Sequence, residues 1–301
     1  EYHIQRILEL PYVDVEAIRK ADLCVAYDPV NSVGGIAVPA LLGALGVTRV
    51  FGVNQDPTGE FAHNPEPLPA HLASLSQLVV REKADVGFAV DPDVDRLAVV
   101  CEDGSMFGEE YTLVSVADYI LQQKRGNTVS NLSSTSALRD VTIVRGGAYY
   151  PSAVGEVNVV ARMREVNAVI GGEGNGGVIL PDLHYGRDAL VGIALFLSQL
   201  AKEGRSVLAL RQKYPSYYMS KNGIELTSGV SPDMVLENVK RIFAAERMNT
   251  EDGVRIDMRG GWVHLRKSNT EPIIRVYAEG ASQEQADELA KGMVDRVYEI
   301  L

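Results

Sequence analysis

The sequence Asp-Pro-Asp-Val-Asp-Arg at residues 91–96 constrains the fold of this chain more than any other segment. Short apolar runs flank it at residues 86–90 and 97–100, and both are typical of buried strands. Because Pro92 cannot donate a hydrogen bond to a strand ladder, the acidic residues belong to a loop at a strand end. Alternate residues of an extended chain point the same way, which predicts that the three aspartates converge on one point.

Converging carboxylates at Asp91, Asp93 and Asp95 need a cation among them, and oxygen ligands suit a hard ion such as Mg²⁺. A solvated acidic turn is the plain alternative, because charge clusters usually lie on the surface. The spacing also fits the first ligands of an EF-hand loop, but Arg96 stands where an EF-hand needs glycine, and the flanks are strands. The EF-hand is therefore excluded, and the sequence predicts a magnesium site on this loop.

The composition limits the partners of the chain. Its 301 residues carry a formal net charge of −11, which argues against a nucleic-acid partner. Cys24 and Cys101 lie in apolar runs, so we expect buried thiols and a reducing cytoplasm. No signal peptide or apolar run of bilayer-spanning length is evident, so we expect no membrane partner. The chain begins at Glu1 inside a helical pattern, which we interpret as a fragment without its natural N-terminus.

Alternating strand and helix patterns indicate the α/β class for the first two thirds of the chain. We predict two consecutive α/β domains at residues 1–105 and 106–216. The last third predicts a small α+β domain at residues 217–301.

Several local elements are expected inside these domains. In the second domain, a helix should open at residues 136–140 and a strand should follow at 142–145. In the third, Gly260-Gly261 is a hairpin-turn signal, and Ser282 is a suitable N-cap for an amphipathic helix that follows it.

A second polar loop, Arg-Lys-Ser-Asn-Thr-Glu-Pro at residues 266–272, joins two predicted strands of the last domain. It offers a guanidinium, an ammonium, two hydroxyls and a carboxamide, and Arg275 stands close by. Phosphate oxygens favour several short donors with a bidentate cation, so the loop is a candidate phosphate site. A polar hairpin loop is the alternative, since such loops also favour Ser, Asn and Pro.

A third candidate is the glycine-rich stretch at residues 171–177. Glycines let a ligand approach the backbone closely, and Glu173 and Asn175 could bond to sugar hydroxyls. The glycine spacing does not fit a dinucleotide fingerprint. A flexible turn is the alternative.

Two histidines could be interpreted as catalytic residues. Ala62 stands where a nucleophilic serine would be expected beside His63, so we interpret His63 as structural. His184 is interpreted in the same way. The sequence has no Gly-x-x-x-x-Gly-Lys phosphate loop, which argues against a nucleotide site of that type.

Together, the acidic, glycine-rich and Arg-Lys-Ser-Asn-Thr-Glu-Pro motifs occur in an order that resembles the α-D-phosphohexomutase family. That family includes phosphoglucomutase/phosphomannomutase and phosphoglucosamine mutase. The resemblance covers essentially the whole chain, from the family's second domain to its last. It implies four domains around one cleft, which supply in turn a phosphoserine, a Mg²⁺ site, a sugar site and a phosphate site.

The resemblance also implies a role for each matching residue. Asp91, Asp93 and Asp95 would be the Mg²⁺ ligands. Arg96 would be catalytic and face the phosphoryl group. Contacts to sugar hydroxyls would come from Glu173 and Asn175. The residues that would bind the substrate's non-transferred phosphate are Arg266, Ser268, Asn269 and Thr270, with Arg275 beside them.

The implied activity is that of an isomerase, an intramolecular phosphotransferase that interconverts hexose 6-phosphate and hexose 1-phosphate. A phosphoserine would donate its phosphoryl group to the phosphosugar and form a hexose 1,6-bisphosphate, which acts as intermediate and activator. The implied partners are the phosphosugar substrate and the first domain of the same parent chain.

The sequence departs from the family pattern at several positions. No Thr-Ala-Ser-His-Asn-Pro phosphoserine loop occurs, so we expect the chain by itself to be inactive. Many members have serine in place of Asn175, several have histidine in place of Gly177, and some have histidine in place of Glu156. The asparagine variant is similar to archaeal-type phosphoglucosamine mutases, which favours glucosamine over mannose and glucose.

Two alternatives stay open from the sequence. One is a Mg²⁺-dependent sugar phosphatase of the haloacid dehalogenase type, because a strand that ends in Asp-x-Asp is typical of its nucleophile loop. The other is a sugar-phosphate-binding module without catalysis.

Overall fold

The computed structural model describes residues 1–226, 231–268 and 273–299. The chain forms two compact units. The first comprises Glu1–Ser130, Ala137–Tyr150 and Gly155–Tyr214. The second comprises Asn131–Ser136, Pro151–Val154 and Pro215–Leu301. Among the described residues, no helix has both the length and the apolar character needed to cross a membrane.

The first sheet of the first unit carries the acidic loop. Its strands are β1 (Cys24–Asp28), β2 (Arg49–Gly52), β3 (Val86–Val90) and β4 (Leu97–Cys101), in the order β2-β1-β3-β4. Strand β1 pairs in parallel with β2 and β3, whereas β3 and β4 form an antiparallel pair that closes at Val90 and Leu97. Every residue of β3 and β4 is buried, which explains their continuous apolar sequence.

Helices accompany this sheet along the chain: α1 (Tyr2–Leu8), α2 (Val15–Ala21), α3 (Gly34–Leu45), the 3₁₀ turn Pro69–His71 and α4 (Ala73–Glu82). Asp14 caps α2, because its carboxylate accepts a hydrogen bond from the backbone N–H of Ala17 at 3.0 Å. Gly46 ends α3 in the left-handed conformation at φ +84°.

The second sheet has the order β6-β5-β7-β8. Its strands are β5 (Asn127–Asn131), β6 (Tyr149–Ser152), β7 (Ala168–Glu173) and β8 (Gly177–Ile179). Strands β5 and β7 are parallel, and β7 and β8 form an antiparallel pair that closes at Glu173 and Gly177. The helices of this part of the chain are α5 (Glu109–Gln123), α6 (Ala137–Val144), α7 (Glu156–Glu165), α8 (Ala189–Glu203) and α9 (Val207–Arg211).

The strand predicted at residues 142–145 was wrong, because α6 runs through most of it. Leu138, Val141 and Thr142 are buried at helical spacing, and the Thr142 hydroxyl donates to the Leu138 carbonyl at 2.7 Å. The β-branched composition of this segment favoured a strand. Burial of one helical face decided otherwise, and the strand lies further on, at β6.

The C-terminal part of the second unit is an antiparallel sheet of order β10-β11-β12-β13-β9. Its strands are β9 (Tyr218–Glu225), β10 (Met248–Asn249), β11 (Val254–Met258), β12 (Gly261–Lys267) and β13 (Ile273–Gly280), and its helices are α10 (Pro232–Ile242) and α11 (Gln283–Tyr298). The predicted α+β character is therefore confirmed.

The predicted N-cap is confirmed, and the predicted hairpin is present with its turn one residue earlier, at Arg259 and Gly260, because β12 already begins at Gly261. Gly260 lies in the turn between β11 and β12 with φ +90°, a conformation that favours glycine. The Ser282 hydroxyl accepts a hydrogen bond from the N–H of Gln285 at 3.2 Å and caps α11.

A buried histidine, His264, packs inside the second unit. Its Nε2 lies 2.7 Å from the carbonyl oxygen of Asp252, so Nε2 carries the proton and donates. Its Nδ1 then accepts from the Ser133 hydroxyl at 2.9 Å. The short segment Asn131–Ser136 thus forms a buried contact with the C-terminal sheet.

We expect His264 to make this unit acid-sensitive. Burial lowers the pKa of His264 to about 4, against the opposing hydrogen bond to the Asp252 carbonyl. Because its pKa is near 6.5 in the unfolded chain, the stability linked to neutral His264 is present above pH 6.5 and is lost as the pH falls toward 4. The loss in free energy of unfolding should be roughly 3 kcal/mol.

Denaturant unfolding of the wild type and of His264→Gln at pH 7 and pH 4 measures this effect. The variant should lose less stability than the wild type over that interval, whereas His71→Gln, on a less buried loop, should match the wild type. Identical pH dependence in wild type and His264→Gln would contradict the prediction.

Candidate functional site

The acidic loop is a tight turn organised by the side chain of Asp91. Its Oδ1 accepts hydrogen bonds from the backbone N–H groups of Asp95 and Arg96, both at 3.0 Å. Val94 has φ +61°, which is a strained conformation for a β-branched residue. Its carbonyl accepts from the N–H of Ala189, the first residue of α8, at 3.0 Å. The loop is therefore held from within and from the start of α8.

The three aspartates converge, as predicted, but by a different route. Each of Asp91, Asp93 and Asp95 offers an oxygen within 4.8 Å of the others. The prediction assumed an extended chain, whereas the left-handed Val94 turns the loop back on itself. A turn brings carboxylates together as well as an extended strand does, because the chain reverses across only a few residues.

The donor set of this cluster fits a hard divalent cation. Asp91 is buried, Asp93 is exposed, and Asp95 Oδ1 is buried with no hydrogen-bond partner among the described residues. Burial raises the pKa of Asp91 to about 7, and the neighbouring carboxylates of Asp95 and Asp93 add to that rise. A cation among three carboxylate oxygens would satisfy the unpaired Asp95 Oδ1 and relieve the repulsion.

Arg96 lies against this cluster. Its Nε is 3.6 Å from Asp91 Oδ2 and 3.9 Å from Asp95 Oδ1. This Nε atom makes no hydrogen bond to any of the described residues. Its Nη1 lies 3.5 Å from Glu66 on an exposed loop. A cationic side chain held loosely beside the carboxylates can receive an anionic group of a ligand.

The glycine-rich loop lies beside the acidic loop in the same unit. Arg96 and Gly177 form an antiparallel bridge, and the N–H of Leu97 donates to the carbonyl of Gly176 at 3.1 Å. A Cβ on Gly176 would lie 2.4 Å from the Leu97 carbonyl oxygen, so a side chain cannot be accommodated there. Close approach of two backbones, more than flexibility, explains this glycine.

The two polar residues of this loop are held in place. Glu173 is 5% exposed, and its Oε1 accepts from the N–H of Gly155 at 3.1 Å. The Oδ1 of Asn175 accepts from the N–H of Gly177 at 3.2 Å. Because Arg96 and Gly177 form a β-bridge, the acidic and glycine-rich motifs lie side by side although they are about 80 residues apart in sequence.

Sequence reasoning missed the residue that joins the two loops, Arg187. Its guanidinium forms ion pairs with Asp95 Oδ2 and, at 2.9 Å, with Glu173 Oε2. Its Nε lies 3.4 Å from Glu156, whose other oxygen accepts from the Arg187 N–H at 3.0 Å. Because Arg187 pairs with Oδ2 of Asp95, Oδ1 is the oxygen of Asp95 that has no hydrogen-bond partner among the described residues.

The glycine at position 177 is the sequence feature that is connected with Arg187. A Cβ on Gly177 would lie 2.4 Å from Arg187 Cδ, so the absent side chain at that position makes room for the arginine. Gly177 departs from the family pattern, but no short-range pattern links it to a residue ten positions later.

The predicted phosphate loop belongs to the second unit and is described in part. Arg266 on β12 lies directly opposite Arg275 on β13, and Arg266 Nε is buried without a hydrogen-bond partner among the described residues. Two arginines directly opposite each other in a sheet can bind one anion between them. Ser268 follows β12. Asn269 and Thr270 lie outside the described residues.

Family models match nearly the whole chain. Residues 1–104 match the model of phosphoglucomutase/phosphomannomutase alpha/beta/alpha domain II, and residues 108–218 match domain III. Residues 227–296 match the C-terminal domain. The matched domains follow the order that the three motifs predicted.

Two curated relatives are similar over most of the chain. A probable phosphoglucosamine mutase from Methanopyrus kandleri is 34% identical over 298 residues, which cover 98% of this chain and 65% of the relative. A phosphoglucomutase/phosphomannomutase from Thermococcus kodakarensis is 37% identical over 280 residues, which cover 92% of this chain and 61% of the relative. The chain thus spans less than two thirds of the length of these relatives.

Solved structures show the same fold. A phosphoglucomutase/phosphomannomutase family protein from Burkholderia thailandensis matches with a TM-score of 0.80 at 26% identity, covering 94% of this chain and 62% of that one. An N-acetylphosphoglucosamine mutase from Aspergillus fumigatus matches with a TM-score of 0.67 at 16% identity. The match covers 98% of this chain and 68% of that one. That enzyme has been solved with GlcNAc-6P and magnesium, and a variant of it with glucose 1,6-bisphosphate.

Proposed function

Because this chain belongs to the phosphoglucomutase/phosphomannomutase family, we propose that it supplies the metal, sugar and phosphate sites of a phosphohexomutase. Such an enzyme interconverts hexose 6-phosphate and hexose 1-phosphate. The observation that carries the proposal is the single site in which three converging carboxylates, Arg96 and the glycine-rich loop lie together.

Each of the three loops has a proposed task. Asp91, Asp93 and Asp95 would hold Mg²⁺, which supplies charge neutralisation for a phosphoryl group in transfer. Arg96 would face that phosphoryl group. Glu173 and Asn175 would bond to sugar hydroxyls. The substrate's second phosphate would be bound by Arg266, Ser268, Asn269 and Thr270, with Arg275 beside them.

We propose glucosamine phosphate as the favoured substrate and hexose 1,6-bisphosphate as the intermediate. Asn175 and a curated relative described as a probable phosphoglucosamine mutase support the first. A fold relative solved with glucose 1,6-bisphosphate supports the second. We also propose domain limits at residues 1–105, 106–216 and 217–301, and the family models that match residues 1–104, 108–218 and 227–296 support this division.

The phosphoserine that the reaction needs is not supplied by these 301 residues, since no Thr-Ala-Ser-His-Asn-Pro loop occurs in them. They can bind and orient a phosphosugar, but they offer no group of this kind to carry the phosphoryl group. The haloacid dehalogenase alternative is disfavoured, because Asp91, the would-be nucleophile, is buried and bonded to two backbone N–H groups.

The test compares binding with turnover. The 301-residue chain should bind glucosamine 6-phosphate in calorimetry, Arg266→Ala should weaken that binding at least about tenfold, and Arg266→Lys should not restore it fully.

Mutase turnover should be absent from the chain alone and should arise when a first domain bearing a phosphoserine loop is added, with bisphosphate as activator. Turnover by the chain alone that an Asp93→Ala control abolishes would contradict the division of roles. Failure of the completed enzyme on glucosamine, glucose and mannose phosphates would contradict the function.

A further inference from the structure

A second cluster of metal-ligating side chains lies at the start of α8, outside the site described above. His3 from α1 and His184 from the loop before α8 both direct Nε2 at the same oxygen of Asp188. His3 Nε2 lies 2.7 Å and His184 Nε2 lies 3.0 Å from Asp188 Oδ2. The two rings are 5.6 Å apart between centroids. Residues 185 positions apart in sequence therefore meet at one carboxylate oxygen.

We propose that His3, His184 and Asp188 form a second metal site, which binds a divalent transition-metal ion of the Zn²⁺ class. Their ligand atoms all lie within 4.8 Å of one another. Two imidazole nitrogens and one carboxylate oxygen are a donor set that suits Zn²⁺ and its neighbours and does not suit Mg²⁺. The donor chemistry thus separates this site from the all-carboxylate cluster.

The carboxylate is already oriented as a ligand. Asp188 is the N-cap of α8, and its Oδ1 accepts from the N–H groups of Leu190 and Val191 at 2.8 and 3.1 Å. Only Oδ2 is left to face the histidines. Ligating carboxylates commonly carry such outer hydrogen bonds, which fix their orientation and strengthen metal binding. Asp188 is 5% exposed, so its position is fixed by the fold.

The histidines leave an open side for the ion. The side chains of His3 and His184 are 43% and 42% exposed, so an ion can enter and a water can complete a four-coordinate shell. With metal–ligand distances of about 2.0–2.2 Å, ligand atoms must separate by a few tenths of an ångström from their present spacing. Two exposed side chains can make that adjustment without moving the backbone.

The cluster is also next to the acidic loop along the backbone. Its central residue, Asp188, lies between Arg187, which pairs with Asp95, and Ala189, whose N–H bonds to the Val94 carbonyl at 3.0 Å. An ion at the histidines would tie α1 to the same short segment that supports the acidic loop.

The test is a titration with Zn²⁺, and separately with Co²⁺, in excess Mg²⁺ so that the carboxylate cluster is filled. One equivalent should bind, the visible absorption of Co²⁺ should show nitrogen ligation in a low-coordinate site, and the melting temperature should rise. His3→Gln and His184→Gln should each weaken binding at least about tenfold.

His71→Gln is the matched control, since it removes a histidine elsewhere in the same unit. It should bind Zn²⁺ as the wild type does. Wild-type circular dichroism spectra and cooperative unfolding of the two ligand variants without metal show that they are folded. Binding of Zn²⁺ or Co²⁺ that survives in either ligand variant, or no binding by the wild type, would overturn the proposal and leave the cluster as a hydrogen-bonded clamp. Neither outcome depends on mutase activity, so it is independent of the proposed function.

Discussion

Asp93→Ala is expected to lower the affinity for Mg²⁺ at least about 100-fold without unfolding the chain. Asp93 is the exposed member of three aspartates whose oxygens lie within 4.8 Å of one another. Mg²⁺ demands near-ideal octahedral geometry, and even changes outside the ligand shell cost roughly 10- to 100-fold in metal affinity. Calorimetric titration with Mg²⁺ or Mn²⁺ measures the loss directly.

The same variant should change stability with opposite signs in the two metal states. Without metal, removing one of three crowded carboxylates relieves repulsion, so the free energy of unfolding should equal or exceed that of the wild type. With saturating Mg²⁺, the wild type should be the more stable protein, because only it binds the ion tightly.

Asp103→Asn provides the matched control. Asp103 is an exposed carboxylate that follows β4 and bonds to Ser105. This variant should leave Mg²⁺ affinity unchanged. Equal Mg²⁺ affinity in wild type and Asp93→Ala would rule out the magnesium assignment.

Arg187→Gln is expected to destabilise the first unit by roughly 3 kcal/mol or more, because it leaves carboxylates of a buried network without their counter-charge. The Arg187 side chain is 14% exposed and pairs with Asp95 and Glu173, whose side chains are 17% and 6% exposed. Mg²⁺ affinity should fall as well, because Asp95 loses the contact that fixes its orientation. Urea unfolding measures the loss of stability, and titration with Mg²⁺ measures the loss of metal affinity.

Arg187→Lys separates charge from geometry. Lysine keeps the charge but has no planar fork to bridge Asp95 and Glu173, so it should recover part of the stability and little of the metal affinity. Arg6→Gln is the control, since Arg6 pairs with Glu9 three positions later, both side chains are about half exposed, and the loss should cost less than about 1 kcal/mol. Wild-type stability and Mg²⁺ affinity in Arg187→Gln would show that the arginine has no positioning role.

Part of the fold could be predicted from local pattern and part could not. The apolar runs on either side of residues 91–96 predicted β3 and β4, and the Ser282 cap predicted the start of α11. At residues 142–145 the same approach failed, because β-branched residues fit both a strand and a buried helical face. Only contact with the neighbouring elements selects between those two states.

The sequence by itself determined the family, the α/β and α+β classes and the chemical character of the three loops. These properties depend on residue types within a few positions of one another, where periodicity, turn chemistry and charge spacing act directly. The tertiary structure decided how the acidic and glycine-rich loops lie beside each other. Arg187 meets Asp95 across 92 positions and His3 meets Asp188 across 185, and no local pattern specifies either contact. Such pairs form because packing places residues from distant loops and helices side by side, where a buried carboxylate needs a partner.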